Sequence, residues 1–98
     1  MSSVHLLVLI EVQPGQRHRQ LQAFEKLKPL VWAETGCLQY DLFADAADDN
    51  KFVLVEHWAN QAALDAHDQS AHMVEADRLN LSFRAKPAVV VKMHQVGA

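Results

Sequence analysis

Residues 37–58 have the sequence CLQYDLFADAADDNKFVLVEHW, a pattern that predicts a β-hairpin. Two runs rich in aliphatic, β-branched and aromatic residues, Cys37 to Ala44 and Lys51 to Trp58, flank the polar segment DAADDN at 45–50. Two such runs around one short polar turn are typical of paired antiparallel strands. We therefore expect these runs to be the second and third strands of a sheet.

The residues before the hairpin predict a strand and a helix. Val4 to Val12 (VHLLVLIEV) is apolar with little alternation, which favours a strand covered on both faces. Gln16 to Glu34 has apolar residues near helical spacing, and Gly36 is expected to stop this helix. Those apolar residues are Leu21, Phe24, Leu27 and Val31. Pro29 lies inside the helix, where it removes a backbone N–H donor, so we expect a kink or break there.

The residues after the hairpin predict two short helices and a last strand. Asn60 is a suitable N-cap for a helix over residues 61–67, and Ser70 can cap a second helix that runs to about Arg84. Residues 88–95 (AVVVKMHQ) are apolar enough to form the last strand.

The predicted order β-α-β-β-α-β indicates a single α+β domain over residues 1–98 with a ferredoxin-like fold. Its four strands form an antiparallel sheet in the order 4-1-3-2, with the helices on one face. The opposite face is largely apolar and would be left bare in one chain. A second copy is therefore expected to cover it, which predicts a homodimer.

Composition excludes several classes of partner. The chain has 9 basic and 12 acidic residues and lacks a Lys/Arg-rich run, so nucleic acid is not an expected partner. The early apolar run Leu6 to Ile10 is too short to span a membrane and has no basic segment before it. Cys37 is the only cysteine, so the chain forms no internal disulfide. We expect a soluble, cytoplasmic protein.

Four stretches carry a resemblance to a known family. Residues 34–42 (ETGCLQYDL), residues 52–58 (FVLVEHW, with an acidic residue two before a tryptophan), residues 63–67 (ALDAH) and residues 70–72 (SAH) keep a characteristic order and spacing. In these stretches the chain resembles the antibiotic biosynthesis monooxygenase (ABM) family. The resemblance extends from about Val4 to Met93.

The resemblance implies a dimer whose two sheets pack face to face into an α/β barrel, with a pocket between each sheet and its helices. Characterised members include oxygenases that oxidise quinols or polyketide aromatics without metal or flavin, and others act on small signalling sugars. The resemblance therefore implies a small quinol or phenolic substrate, dioxygen and no cofactor. Haem-degrading relatives use an asparagine in the first strand, then a tryptophan and a histidine in later helices. This first strand lacks asparagine, and His67 and Asp77 stand near the other two places, so haem degradation is not expected.

Three residues are candidate proton-transfer groups. Strand alternation places Glu56 among Phe52, Leu54 and Trp58, where partial desolvation would raise its pKa and suit a base. Glu56 can alternatively be a structural residue paired with an arginine or a backbone amide. His67 and His72 are also candidate bases, or else surface or capping histidines. On one helix they would point about 140° apart, so both reach one site only if the helix breaks near Ser70.

Four residues are candidates for substrate contact: Tyr40, Trp58, Leu54 and Phe24. The Tyr40 hydroxyl can orient a substrate oxygen, or it can be buried with one hydrogen bond. Trp58 can line a flat pocket for aromatic rings, or it can belong to the core.

Other polar residues have weaker signals. Glu34 ends the first helix, where a negative charge is unfavourable, so it is expected to have a specific, structural partner. Cys37 is expected to be an inert thiol. The strand order brings His5, His57 and His94 to one end of the sheet, where they can hold zinc if they share a face or can simply face solvent. We predict no metal.

Two other functions remain open. The chain can be a dimer that binds a small ligand or a partner without catalysis. It can also be an isomerase or hydrolase of a small polar metabolite, which a pocket lined by arginine or lysine would favour.

Overall fold

The computed structural model describes residues 2–97. Its elements, in chain order, are β1 (Val4–Glu11), α1 (Arg17–Trp32), β2 (Cys37–Ala44), β3 (Lys51–Trp58), α2 (Gln61–Gln69), α3 (Ala71–Asn80) and β4 (Val89–Met93). The strands form one antiparallel sheet in the order β2-β3-β1-β4. The predicted α+β, ferredoxin-like fold and its strand order are confirmed. No helix within residues 2–97 is long and apolar enough to cross a bilayer.

The central strands β1 and β3 pair along their full length, from Val4 opposite Trp58 to Glu11 opposite Lys51. On both strands, buried residues alternate with less buried ones because successive side chains point to opposite faces. The buried residues are Val4, Leu6, Val8, Ile10, Phe52, Leu54, Glu56 and Trp58. The alternation predicted for β3 is confirmed, and this face forms the core beneath the helices.

The opposite sheet face is not covered within this chain. Leu9 is 42% exposed and Val91 is 41% exposed, although both lie in the middle of paired strands. The expectation that β1 is covered on both faces is therefore wrong for the single chain. Its apolar residues alternate between a helix-covered face and an open one.

Helix α1 differs from its prediction in three ways. It runs unbroken through Pro29 and ends at Trp32 rather than Glu34. Pro29 is exposed and lies in the last turn, so the carbonyl that loses its N–H partner can bond water instead. The buried residues of the helix include Gln20, whereas Leu21 is 39% exposed. The inward stripe therefore begins one residue earlier than predicted.

Helix α3 ends at Asn80 rather than near Arg84. The chain then turns, buries Phe83, and pairs Arg84 with Val12 through an isolated β-bridge. The backbone N–H of Gln13 donates to the Phe83 carbonyl at 2.9 Å. This pairing to the chain beyond β1 replaces the last predicted helical turn.

The two helix caps are confirmed. Asn60 accepts a hydrogen bond from the backbone N–H of Ala63 at 2.8 Å, and Ser70 accepts one from Met73 at 3.3 Å. Ser70 also ends α2, because its backbone is extended there (ψ 148°). The chain therefore breaks between His67 and His72, as predicted.

Gly36 brings the end of α1 close to α2. Its φ of +82° lies in the left-handed region, and a Cβ added there would lie 2.6 Å from the Cβ of Ala63. The backbone N–H of Ala59 donates to the Gly36 carbonyl at 2.8 Å. A side chain at this position would therefore push apart the segments that carry Glu34 and His67.

We expect Gly36→Ala to destabilise the protein more than Gly15→Ala. Both glycines have positive φ, which costs an alanine about 1–2 kcal/mol, but a Cβ at Gly15 meets nothing within 4 Å. The clash at Gly36 adds roughly 1–3 kcal/mol of overpacking. Urea denaturation of the two variants measures the difference, and equal losses would contradict the close approach.

Candidate functional site

A cavity of about 620 Å³ lies between the helix-covered face of the sheet and the helices. Its volume lies in the range of small-molecule sites. Most of its walls are apolar, and they include Leu6, Val8, Leu27, Leu42, Leu54, Leu64 and Met73. A ring-sized apolar ligand can therefore be removed from water here.

The structure brings six of the seven predicted site residues to this cavity: Phe24, Tyr40, Leu54, Glu56, His67 and His72. Trp58 is the exception, because it is fully buried and does not line the cavity. It packs behind Glu56, with its ring centroid 4.5 Å from that of His67. Trp58 therefore belongs to the core, which is the second of the two roles predicted for it.

The carboxylate of Glu34 joins the two candidate histidines. Nδ1 of His67 and Nε2 of His72 each lie 2.8 Å from the same oxygen, Oε2 of Glu34. An ionised carboxylate only accepts hydrogen bonds, so each imidazole donates an N–H. These donors offset the cost of a negative charge just past the end of a helix. Glu34 has the specific partner that its position predicted, although the sequence did not indicate which residue.

His67 is the buried centre of a chain of polar contacts. It is 1% exposed, and its Nε2 lies 3.8 Å from Oε1 of Glu56. The indole N–H of Trp58 donates to that same oxygen at 2.9 Å. In a neutral imidazole, a proton on Nδ1 for Glu34 leaves Nε2 as the acceptor on the side of Glu56.

Burial sets the protonation of the groups around His67. Desolvation raises the pKa of the Glu56 carboxyl, and the Trp58 hydrogen bond and the nearby His67 oppose this only in part. Desolvation also raises the pKa of the Tyr40 phenol, and the charge of Glu56 raises it further. Tyr40 therefore remains a hydrogen-bond donor, while Glu56 holds a proton more readily than an exposed glutamate.

Among the polar residues that line the cavity and were not predicted for the site, Gln20 and Arg84 contact each other. Gln20 is only 4% exposed, and its Oε1 accepts a hydrogen bond from Nε of the half-buried Arg84 at 3.3 Å. Desolvation lowers the pKa of the Arg84 guanidinium. Gln20 lies at helical spacing from Phe24, Leu27 and Val31. A polar residue on this otherwise apolar face of the helix was a signal that could have predicted Gln20 as a site residue. No such signal marked Arg84 as a site residue, because it was predicted to lie at the end of a helix.

Within residues 2–97, the group that can hold a metal is Glu34, His67 and His72, whose ligand atoms lie within 4.8 Å of one another. The hydrogen bonds from the two imidazole N–H groups to Glu34 also hold these three side chains together without a metal. The alternative cluster of three histidines at the end of the sheet is not formed. His5 and His57 stack with ring centroids 3.9 Å apart, but His94 lies beyond β4, is exposed, and contacts the Ser3 carbonyl.

Cys37 lies at the start of β2, where it is partly buried. Desolvation raises the pKa of its thiol, and the charge of Glu34 raises it further. A higher pKa means less of the reactive thiolate, which agrees with an inert cysteine.

The profile of the antibiotic biosynthesis monooxygenase family matches residues 3–79, which include the whole Glu34, Glu56, His67 and His72 arrangement. The chain belongs to this family. The predicted resemblance is confirmed.

Relatives and solved structures agree with this assignment. The chain is 36% identical over 91 residues to YgiN of Escherichia coli K12, provisionally named a quinol monooxygenase, covering 76% of this chain and 88% of YgiN. It is 37% identical over 67 residues to YcnE of Bacillus subtilis, provisionally named a monooxygenase, covering 68% and 70%. The crystal structure of PA3566 from Pseudomonas aeruginosa superposes with a TM-score of 0.91 at 27% identity, covering 99% and 97%.

We expect Glu56→Gln to stabilise the protein increasingly as pH rises. Because burial raises the pKa of Glu56 above its usual 4.5, its favourable folded form is the protonated one. That contribution is complete below the unfolded pKa and is lost as pH rises through the folded pKa. It amounts to about 1.4 kcal/mol for each pH unit that separates the folded pKa from the unfolded pKa. Glutamine keeps an acceptor for Trp58 and does not titrate.

Urea denaturation of both proteins between pH 4 and pH 8 measures this difference. Glu75→Gln is the control, because Glu75 is exposed and its bond to Arg78 lowers its pKa, which gives the opposite sign. A difference between wild type and Glu56→Gln that does not change with pH would contradict a raised pKa at Glu56.

Proposed function

We propose that this protein is a cofactor-independent monooxygenase that oxidises a small quinol or another phenolic aromatic with dioxygen. The observation that carries the proposal is the buried His67, held between Glu34 and Glu56 beside an apolar cavity of about 620 Å³. Membership of the family and the likeness to YgiN support the oxidative chemistry.

The first step is removal of a proton from a ring hydroxyl. Nε2 of His67 accepts it, because Nδ1 already donates to Glu34, and Glu56 lies 3.8 Å away to share the proton. The resulting imidazolium lies between two carboxylates, which stabilise its charge. The aromatic oxyanion can then pass an electron to dioxygen, and the apolar walls keep water from the radical pair.

The overall reaction balances without an external reductant. A quinol and dioxygen give a hydroxyquinone and water: one oxygen atom enters the ring and the other leaves as water. Dioxygen takes up four electrons. The ring supplies all of them, two in forming the quinone and two in forming the new C–O bond. No flavin or metal is therefore required as an electron source.

We further propose that the protein acts as a homodimer through the open sheet face. This face carries the apolar side chains Leu7, Leu9, Phe43, Val53, Val55, Val89 and Val91. The Nε2 atoms of His5 and His57, on the same face, are buried without a hydrogen-bond partner within residues 2–97. A second sheet packed on this face would bury the apolar residues and could supply partners for these two atoms.

A second candidate is isomerisation of a small polar metabolite at the same base. Arg84, Lys26 and Lys92 line the cavity, and arginine or lysine in the lining is the feature that favours this function, although four acidic residues line it as well: Glu56, Asp68, Glu75 and Asp77. Lys26 and Lys92 are exposed, however, and Lys92 bonds Gln61. Arg84 is thus the half-buried cation of the lining, in a cavity that is otherwise mainly apolar.

The activity test is oxygen uptake after anaerobic mixing of the protein with reduced naphthoquinols. We expect uptake above the autoxidation rate and insensitive to chelators. His67→Ala should lower kcat/KM by roughly a hundred- to ten-thousandfold, as loss of a general base does, and Glu56→Gln should also lower it. His94→Ala is the matched control, since His94 is exposed and outside the cavity.

Uptake no faster than the protein-free rate would exclude this substrate class. Equal losses in His67→Ala and His94→Ala would exclude His67 as the base. Tight binding of naphthols without turnover would instead favour the non-catalytic binding dimer.

The dimer is tested by sedimentation equilibrium. We expect a mass near twice the 11.0 kDa of the chain, and Leu9→Glu should shift it towards monomer because it places a charge on the proposed interface. Leu81→Glu is the control, because Leu81 is 80% exposed beyond α3. A monomeric wild type, or a Leu9→Glu protein that stays dimeric, would contradict the interface.

A further inference from the structure

Arg84 differs from the other arginines of the chain in its surroundings. The other three bond oxygen acceptors at the surface: Arg17 with Asp49, Arg19 with Ser82 and Arg78 with Glu75. Arg84 is half-buried, lines the cavity, and forms no ion pair within residues 2–97. Its guanidinium bonds only the neutral Gln20 amide, through Nε. Its remaining N–H donors are therefore available to a ligand.

The chain holds this guanidinium in place without neutralising it. The backbone N–H of Arg84 donates to the Asn80 carbonyl at 3.0 Å, and its carbonyl accepts from the side chain of Gln13 at 3.2 Å. Gln20 is buried and fixes Nε, but an amide carries no charge. Asp77 is the nearby acid, yet it is exposed and makes no ion pair with Arg84. The charge of Asp77 offsets part of the desolvation of this cation, and an anionic ligand that bonds the guanidinium directly would offset more of it.

We propose that Arg84 and Gln20 form a carboxylate-binding subsite of the cavity, so that the substrate is an aromatic hydroxy acid. The aromatic ring in this proposal rests on the proposed function. The carboxylate group of the ligand is inferred from Arg84 and Gln20 alone.

A carboxylate fits this site better than a phosphate ester does. One guanidinium carries a single positive charge, and its paired N–H groups match the two oxygens of a carboxylate. A phosphate ester carries up to two negative charges, and within residues 2–97 the other cations of the lining are exposed lysines. Most of the cavity wall is apolar, which suits the ring of an aromatic acid.

The subsite and the base face the same ligand volume. Tyr40 lies opposite Glu56 in the β2–β3 pairing and feels the charges of both Glu56 and Arg84. Its ring also stacks near Phe24, with centroids 5.7 Å apart. A substrate ring beside Phe24 and Tyr40 can therefore direct its carboxylate to Arg84 and its hydroxyl to His67. Arg84 thus selects and orients the substrate, while His67 acts on it.

The test compares a carboxylate ligand with its neutral methyl ester. Binding of 6-hydroxy-2-naphthoate and of its methyl ester is measured by calorimetry at pH 7. We expect the acid to bind roughly ten- to a hundredfold more tightly, the usual worth of hydrogen bonds to a charged group. Equal affinities for acid and ester in the wild type would overturn the proposal.

Three variants test which residue gives the tighter binding of the acid over the ester. Arg84→Met should remove it, because methionine has a long side chain but no N–H donor for the carboxylate. Gln20→Glu should also remove it, because an internal carboxylate would occupy the guanidinium and repel the ligand. Arg78→Met is the control, because Arg78 is exposed and outside the cavity. A preference that survives Arg84→Met would overturn the proposal.

A probe without the phenol separates this inference from the proposed function. Benzoate is titrated against the protein while the Arg84 Nε–H signal is followed by NMR, with benzyl alcohol as the neutral comparison. A shift with benzoate alone supports the subsite even if no quinol is oxidised. An unmoved signal overturns the subsite even if quinols are turned over.

Discussion

The carboxylate of Glu34 accepts hydrogen bonds from two imidazoles, and the geometry of the candidate site depends on this arrangement. The donors, His67 in α2 and His72 in α3, are 33 and 38 residues away in the chain. One partly buried oxygen therefore joins the end of α1 to both later helices. The hydrogen bond to this oxygen also requires a proton on Nδ1 of His67, and Nε2 is then the nitrogen that faces Glu56.

Two local features make that arrangement possible. Gly36 lets the end of α1 approach α2 so closely that a Cβ would clash with Ala63. Ser70 ends one helix and caps the next, which turns His72 back towards Glu34. Neither residue carries chemistry, but on one unbroken helix the two histidines would point about 140° apart. The site is thus built by backbone constraints as much as by its polar side chains.

The sheet separates two kinds of surface. Alternation along β1 and β3 gives one face to the core and the cavity and the other to apolar side chains left open in a single chain. The lining of the cavity includes an imidazole at His67 and a cation at Arg84 among mainly apolar residues. Such a division suits a ligand with a reactive hydroxyl and a distinct recognition group.

Local sequence signals predicted the elements and much of the site. The bounds of β2 and β3, the caps Asn60 and Ser70, and the burial of Glu56 all follow from spacing and residue type, which act over a few residues. Pro29 was one exception, since its cost depends on exposure and on its distance from the helix end, and the ends of α1 and α3 were others. These signals operate within one element, so the sequence was sufficient for them.

The sequence by itself determined the α+β order, the strand pairing and which residue types could do chemistry. Only the tertiary structure decided that Glu34 holds both histidines, that Trp58 belongs to the core, and that Gln20 and Arg84 meet in the cavity. Gln20 and Arg84 are 64 residues apart. Contacts of this kind depend on how helices are placed over the sheet, and residue periodicity along the chain carries no information about that placement.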